Sequence, residues 1–270
     1  MKKFFFILLF SATVVLAQSC PDRNLNYWQA FPAGGESDLS ARHQQVVLKK
    51  KCPAIETVIQ YKPGAGGGLM WAQMNALAGD GTNVIGINLP HIVFQPLEGQ
   101  VQYKTDDVTP VYWFHYTPDA LVVAESSPIK TFQDYLNFIK AEPGKLSLGG
   151  SGLNSANHAA HERLNAIYGT KTTYVPFKGT GDMSIAVIGG HVGGAWSNTA
   201  FPVNNKGKVR ALAVAMEKRH PLLPDAPTFR ELGLKSGFEL VNVGANDMDA
   251  FMAGKIQLYT EGAKRLGLGK

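Results

Sequence analysis

Apolar positions along the chain change period repeatedly, from every second residue to every third or fourth, and the changes fall at glycine-rich turns. Residues 25–31 read as a strand and 38–50 as a helix; 57–60 and 69–78 repeat the pair. A strand at 83–88 follows, then a short helix through 97 with Pro90 in its first turn. This alternation predicts a parallel sheet with right-handed crossovers. It breaks at the aromatic run 111–116, which reads as a strand directly followed by a second apolar strand at 120–124. Two consecutive strands are what a crossover between domains looks like. The alternation resumes with a helix over 131–141, capped by Thr131, then strands at 146–148, 173–177, 191–196 and 208–216 with helices between them, 156–168 among these. Pro221, Pro224 and Pro227 mark a loop before a short helix at 228–232. The expectation is two α/β units, residues 20–117 with 235–270 and residues 118–234.

The stretch Gly149-Gly150-Ser151-Gly152-Leu153-Asn154-Ser155-Ala156-Asn157-His158 is a strand emptying through glycines into a helix. Glycines let backbone N–H groups converge, Ser155 is a good N-cap, and the helix dipole adds partial positive charge there, so the turn favours an anion. An ordinary capped loop would look the same. Repetition separates the two readings: Phe31-Pro32-Ala33-Gly34-Gly35-Glu36-Ser37-Asp38, Lys62-Pro63-Gly64-Ala65-Gly66-Gly67-Gly68 and Lys178-Gly179-Thr180-Gly181 make the same strand-to-helix join. Such turns line up at the carboxyl end of a parallel sheet, facing a crevice.

Length and composition then narrow the class. With 270 residues, 45% hydrophobic and 17% charged, the chain is globular rather than disordered or fibrous. Met1-Lys2-Lys3 and the apolar run that follows read as a secretory leader over residues 1–19, with cleavage after Ala17 or Ser19. Cys20 could then carry a lipid, but Gln18 and Ser19 make a poor approach sequence. A disulfide between Cys20 and Cys52 in an oxidising compartment is the more natural reading. The net charge of +5 comes without a basic stripe interleaved with aromatics, so nucleic acid is not indicated. Lys49-Lys50-Lys51 at a helix end answers the helix dipole.

Catalytic patterns are thin. His158 and His161 with Glu162 match neither the HExxH nor the HxxEH spacing, and no third ligand is evident, so no metal is expected. Ser151 has Leu153 where a nucleophile elbow needs glycine, leaving a secreted serine hydrolase as the enzymatic alternative. Residues 62–68 lack the GK[ST] ending of a phosphate loop, and no dinucleotide fingerprint follows the first strand; no cofactor is expected. Binding is better supported than catalysis.

Taken in order, Phe31-Pro32-Ala33-Gly34-Gly35 with Asp38, Lys62-Pro63-Gly64-Ala65-Gly66-Gly67, Gly150-Ser151-Gly152 with Ser155 and His158, Val175-Pro176-Phe177-Lys178-Gly179, Gly189-Gly190-His191-Val192, and Leu212-Ala213-Val214 with Pro224-Asp225-Ala226-Pro227-Thr228 resemble the periplasmic solute receptors of the tripartite tricarboxylate transporter family, also called Bug receptors. The resemblance implies a two-lobed Venus-flytrap fold, each lobe a mainly parallel sheet flanked by helices. It implies a non-catalytic protein that closes on a small di- or tricarboxylate or aromatic acid and delivers it to a large and a small membrane subunit. A ligand-sensing receptor domain would share the same pocket. Carried over residue by residue, the ligand set is Phe31, Ala33, Gly34, Gly35 and Asp38 from the first lobe, and Ser151, Ser155, His158, Lys178, Gly179 and Asn198 from the second.

The chain departs from the family pattern at several points. Ser197 stands where relatives usually carry Asp, and Asp182 where they carry Pro. Asp182 either caps the next helix or tunes ligand choice, and Glu36 poses the same question. Between Leu234 and Gly237 about forty residues of the family's first lobe are missing, so its C-terminal part is shortened. Residues 238–241 then read either as the family's last strand or as the second crossover.

Overall fold

The computed structural model describes residues 20–99, 101–113, 115, 117–234 and 247–265. The leader at 1–19 and the expected strand at 238–241 lie outside them. Two sheets divide the chain. The first holds β1 (Leu25–Gln29), β2 (Thr57–Tyr61) and β3 (Asn83–Ile85) in the order β2-β1-β3, all parallel, with Leu25 opposite Thr57 and Tyr27 opposite Val84. Its crossovers carry α1 (Glu36–Lys51), then α2 (Gly68–Trp71), and α3 (His91–Leu97) follows β3. Glu36 and Asp38 in the first turn of α1 and Lys49, Lys50 and Lys51 in its last turn both complement the helix dipole. The expected helix at 69–78 is broken into 3-10 turns at Ala65–Gly67 and Met74–Ala76 with α2 between them. Ala30, Phe31, Met70, Trp71, Ile92, Val93 and Tyr103 form this lobe's core, built on edge-to-face rings.

The second sheet has β4 (Asp119–Ala124), β5 (Ser147–Gly150), β6 (Thr173–Pro176), β7 (Gly194–Asn198) and β8 (Val209–Val214) in the order β6-β5-β7-β4-β8. β5 pairs in parallel with β6 and β7, while β4 runs antiparallel to both β7 and β8. After Asp119, β4 is apolar because both of its faces are covered. Leu121 and Val123 pack with α4 (Phe132–Ala141) and α5 (Ala156–Tyr168) through Ile129, Phe132, Ile139 and Leu164. Ala120 and Val122 face the other way, toward Met183, Val187 and Phe201 of α6 (Thr180–Ile188) and α7 (Ala200–Asn204). Thr131 caps α4 as expected, its side chain accepting from Asp134 N while Asp134 accepts from Thr131 N.

Three further expected elements differ. β7 begins at Gly194 rather than 191, because His191 N–H returns to the Ala186 carbonyl (2.8 Å) and closes the end of α6 through Gly190. The described part of the aromatic run 111–116 holds no strand: Val111 and Tyr112 are exposed, and Trp113 packs on Phe251. Residues 228–232 form a hydrogen-bonded turn, not a helix, with Thr228 also bridged to Val214. The last helix, α8 (Met248–Arg265), packs on α3 and sets Tyr259 edge-on to Phe94, joining the first lobe. The Cys20 and Cys52 sulfurs are bonded, with Cα atoms 5.7 Å apart, which ties the start of the described chain to the end of α1 and leaves Cys20 no thiol for a lipid.

Candidate functional site

The lobes meet along their glycine turns. A Cβ on Gly152 would sit 2.9 Å from Gly66 Cα, and one on Gly179 would sit 2.8 Å from Pro32 Cδ, so only glycine permits these approaches. Glu36 N–H donates across the gap to Thr180 Oγ1 (3.1 Å). Buried Gln95 supports the first-lobe side, its Nε2 donating to the Ala65 and Gly66 carbonyls (2.9 and 2.7 Å) while Tyr103 donates to its Oε1.

Behind these contacts lies a cavity of about 1280 Å³. The first turns of three helices line it: α1 at Glu36 and Ser37, α5 at Ala156 and Asn157, and α6 at Thr180, while α5 also runs along it through Ala160, Arg163 and Ile167. N-terminal N–H groups lack intrahelical partners, and the aligned peptide dipoles add partial positive charge. The cavity extends between the lobes along β3 to Phe251, Met252 and Tyr259 of α8, where its wall is apolar.

Of the residues the sequence nominates, Phe31, Ser151 and Asn198 line the cavity. Ala33, Gly34, Gly35, Asp38, Ser155, His158, Lys178 and Gly179 are not in its wall. Several of these hold the turns instead. Asp38 is buried and accepts from Gly34 N–H (2.8 Å), Tyr61 OH (2.6 Å) and Arg42 Nε (3.0 Å). Burial works to raise its pKa, but those donors outweigh it and hold the carboxyl below its ordinary value. Ser155 is fully buried, accepts from His158 N–H (3.1 Å) and contacts Tyr174 OH (3.2 Å). His158 Nδ1 accepts from Asn154 N–H (3.2 Å), and its ring lies on Tyr174. Gly35 and Gly179 are the positions before α1 and α6, and Lys178 is exposed. Asp182 is also exposed in the first turn of α6, where Gly179 holds the cap position and no side chain caps the helix.

Other polar residues of the wall carry no sequence motif. Asn157 Oδ1 accepts from Ser151 N–H and Oγ (3.2 and 2.7 Å), and its Nδ2 donates to Asp119 Oδ1 (3.1 Å). Burial in the wall pushes the Asp119 carboxyl up to about 7, with the Glu36 charge adding to the rise. Glu36 accepts from His115 Nε2 (2.8 Å) and Thr117 Oγ1 at one oxygen; burial alone would raise its pKa, but these donors leave it lowered. His91 is buried among Phe31 and Trp71 rings, and burial lowers its pKa to about 4. A weak approach to the Leu89 backbone aside, neither ring nitrogen has a hydrogen-bond partner among the described residues. The clue available in the sequence was an acid, Asp119, opening an otherwise apolar strand.

Ser151 Oγ is committed to Asn157, with no imidazole in contact, so the Ser-His arrangement of a hydrolase is not formed. His161 is held by Glu162 (2.9 Å) and Thr172 (2.7 Å).

Residues 41–247 match the model of the tripartite tricarboxylate transporter family receptor. A Cupriavidus necator protein of the UPF0065 group, encoded in the gbd 5′ region, is 31% identical over 223 residues, 81% of this chain and 67% of its own length. This and the other curated relatives are matched over about two thirds to three quarters of their length. Among solved structures, MatC from Rhodopseudomonas palustris with bound malate is 26% identical, with a TM-score of 0.73 over 91% of this chain and 85% of MatC. A second R. palustris protein, solved with adipate, shares the two-lobed fold at a TM-score of 0.82 and 22% identity, over 93% of this chain and 99% of that one. Two α/β lobes facing one cavity, a serine with no base and a family match over most of the chain converge: the protein belongs to the tripartite tricarboxylate transporter receptor family, whose members are periplasmic solute-binding receptors and not enzymes.

Proposed function

We propose that this protein captures a small organic carboxylate between its lobes and delivers it to the large and small membrane subunits of a tripartite tricarboxylate transporter. It would act in the periplasm after loss of residues 1–19. The observation that carries the reading is that the first turns of three helices, drawn from both lobes, lie in the wall of one cavity. A carboxylate at a helix N-terminus gains about 0.3 to 1 kcal/mol, or about 2 when partly buried. Charge-assisted hydrogen bonds add about 1.5 to 3 kcal/mol each, enough for micromolar affinity after the cost of ordering. Asn157, Thr180 and Asn198 are the donors proposed to fix the ligand's orientation, with Ser151 bracing Asn157. Asp38, Ser155 and His158 are proposed to act through the turns they brace. Malate in MatC supports the same class of ligand here.

The test is a thermal-shift screen of the exported protein against di- and tricarboxylates and aromatic acids. Stabilisation by at least one acid at micromolar to millimolar concentration is expected; no shift with any acid would refute the reading. Delivery is tested by co-purification of the loaded receptor with the membrane subunits.

A further inference from the structure

Helix first turns suit a carboxylate, yet the same wall carries a carboxyl group, and the hydrogen-bond wiring fixes how that group can act. Asn157 is buried, and its Oδ1 accepts from both the N–H and the Oγ of Ser151 (3.2 and 2.7 Å). A backbone N–H can only donate, so the amide is oriented: Nδ2 is the end left for Asp119, and it donates to Asp119 Oδ1 (3.1 Å). Oδ1 is thereby committed as an acceptor. Oδ2 of Asp119 has no hydrogen-bond partner among the described residues, and unlike the sealed Oδ1 of Asn198 it keeps surface open to the cavity. A proton on this carboxyl therefore sits on Oδ2, where it makes an O–H donor facing the ligand space.

The groups around Asp119 supply no counter-charge. Glu36 of α1 adds negative charge to the same wall, its own carboxylate held by His115 and Thr117. Asn157 of α5 and Asn198 of β7, the cross-strand neighbour, are neutral. Tyr174 of β6 and Tyr259 of α8 sense the Asp119 charge, but burial keeps both phenols protonated well above neutral pH. His91 of α3 is kept neutral by burial down to about pH 4. Arg163 and Lys255 also line the cavity, but Lys255 Nζ lies over the Phe251 ring and Arg163 is six residues beyond Asn157, roughly 9 Å further along α5. An ionised Asp119, the Glu36 carboxylate and a bound carboxylate would repel one another in one enclosed space.

We infer that Asp119 binds the ligand carboxylate as a neutral acid, donating from Oδ2, so that capture above neutral pH draws one proton from solvent into the cleft. The inference rests on the carboxylate reading and deepens it. The proton adds to Oδ2 and no other bond forms or breaks. An O–H donor meeting a carboxylate oxygen makes a short, charge-assisted hydrogen bond where an ionised Asp119 would repel. Burial and the Glu36 charge already push this carboxyl up to about 7, and a ligand carboxylate pushes it further the same way. Affinity is therefore level below that value and falls as pH rises above it, by up to about tenfold per pH unit.

The experiment is isothermal titration calorimetry on protein purified from the periplasm after expression of the full chain. The probes are malate, adipate and benzoate, whose own carboxyls stay ionised between pH 6.5 and 8.5. Each titration is repeated in two buffers of different ionisation enthalpy, and the difference in heat counts the protons taken up. For an acid that binds, close to one proton per ligand is expected at pH 8.5 and about a quarter of one at pH 6.5, with affinity at least tenfold weaker at the higher pH. D119N, whose amide N–H donates where the acid's O–H would, should bind at pH 8.5 as tightly as the natural protein does at pH 6.5 and take up no proton. D119A, with no donor, should bind weakly at both. The proton count on the natural protein decides the matter whether or not either variant folds. An acid that binds at pH 8.5 without proton uptake, or a folded D119N that keeps the natural pH dependence, overturns the inference and leaves the carboxylate reading standing. If none of the acids binds at any pH, the carboxylate reading falls and takes the inference with it.

Discussion

Replacing Asp119 with Asn should stabilise the protein relative to the natural chain by an amount that grows as pH rises from about 4 to about 7. Asp119 titrates near 3.8 in an unfolded chain and at about 7 in the fold, so between those values the native state holds a proton that the unfolded state has lost. Stability therefore falls as pH rises through this window, at about 1.4 kcal/mol per pH unit, and the full penalty, about 4 kcal/mol, is reached above pH 7. His91 works in the opposite sense. Its pKa is lowered from 6.5 to about 4 by burial, so its contribution is present above 6.5 and is lost as pH falls toward 4. From pH 4 to 6.5 the two slopes nearly cancel, and the natural protein alone would show little. The difference between D119N and the natural protein isolates the carboxyl: D119N should gain about 3 kcal/mol relative to the natural chain between pH 5 and pH 8. Urea titrations of both proteins across that range give the difference directly. A gap that stays constant with pH, or narrows as pH rises, would refute a half-buried, proton-holding Asp119. D119N alone should still lose stability from pH 6.5 to 4, reporting His91.

Other outcomes follow from the same geometry. The Cys20–Cys52 bond closes a separation of 32 residues, so C52S should lower stability by about 3 to 4 kcal/mol, read as a shift in urea midpoint that reductant reproduces in the natural protein. Gly152 has φ +112° and lies against Gly66, so G152A should wedge the lobes apart, weaken ligand binding at least tenfold and enlarge the radius of gyration seen by small-angle scattering with ligand present. Loss of the Ser155 cap in S155A should cost about 0.5 to 2 kcal/mol of stability, measured by urea titration, together with a loss of affinity measured by calorimetry. H158A should free the Asn154 turn and lower affinity in the same calorimetric assay.

The glycine turns explain why so much of the fold was legible. Phe31 to Asp38, Gly149 to His158 and Lys178 to Gly181 each end a strand and open a helix, and local chemistry alone dictates that: glycine for the turn, Ser155 for a cap, Glu36 and Asp38 for the first turn. Helix α5 spans the residues its apolar spacing predicts, and β4 reads as the buried strand it is. Where the expectation slipped, a contact distant in sequence decided. Trp113 is a single bridge residue rather than part of a strand and lies on Phe251, and β7 starts late because α6 closes through Gly190 first.

The sequence by itself determined the periods, turns and caps, and with them two α/β lobes whose helices start at their strands' ends, because these are set by neighbours a few residues away. Only the tertiary structure decided which side chains face the ligand space. Asp119 and Asn198 become neighbours through an antiparallel pairing across 79 residues, and Glu36 joins them through Thr117. Ser155 and His158, conspicuous in sequence, are spent on holding a turn. A residue's chemistry is written in its letter, but the direction it faces is fixed by the packing of the whole chain.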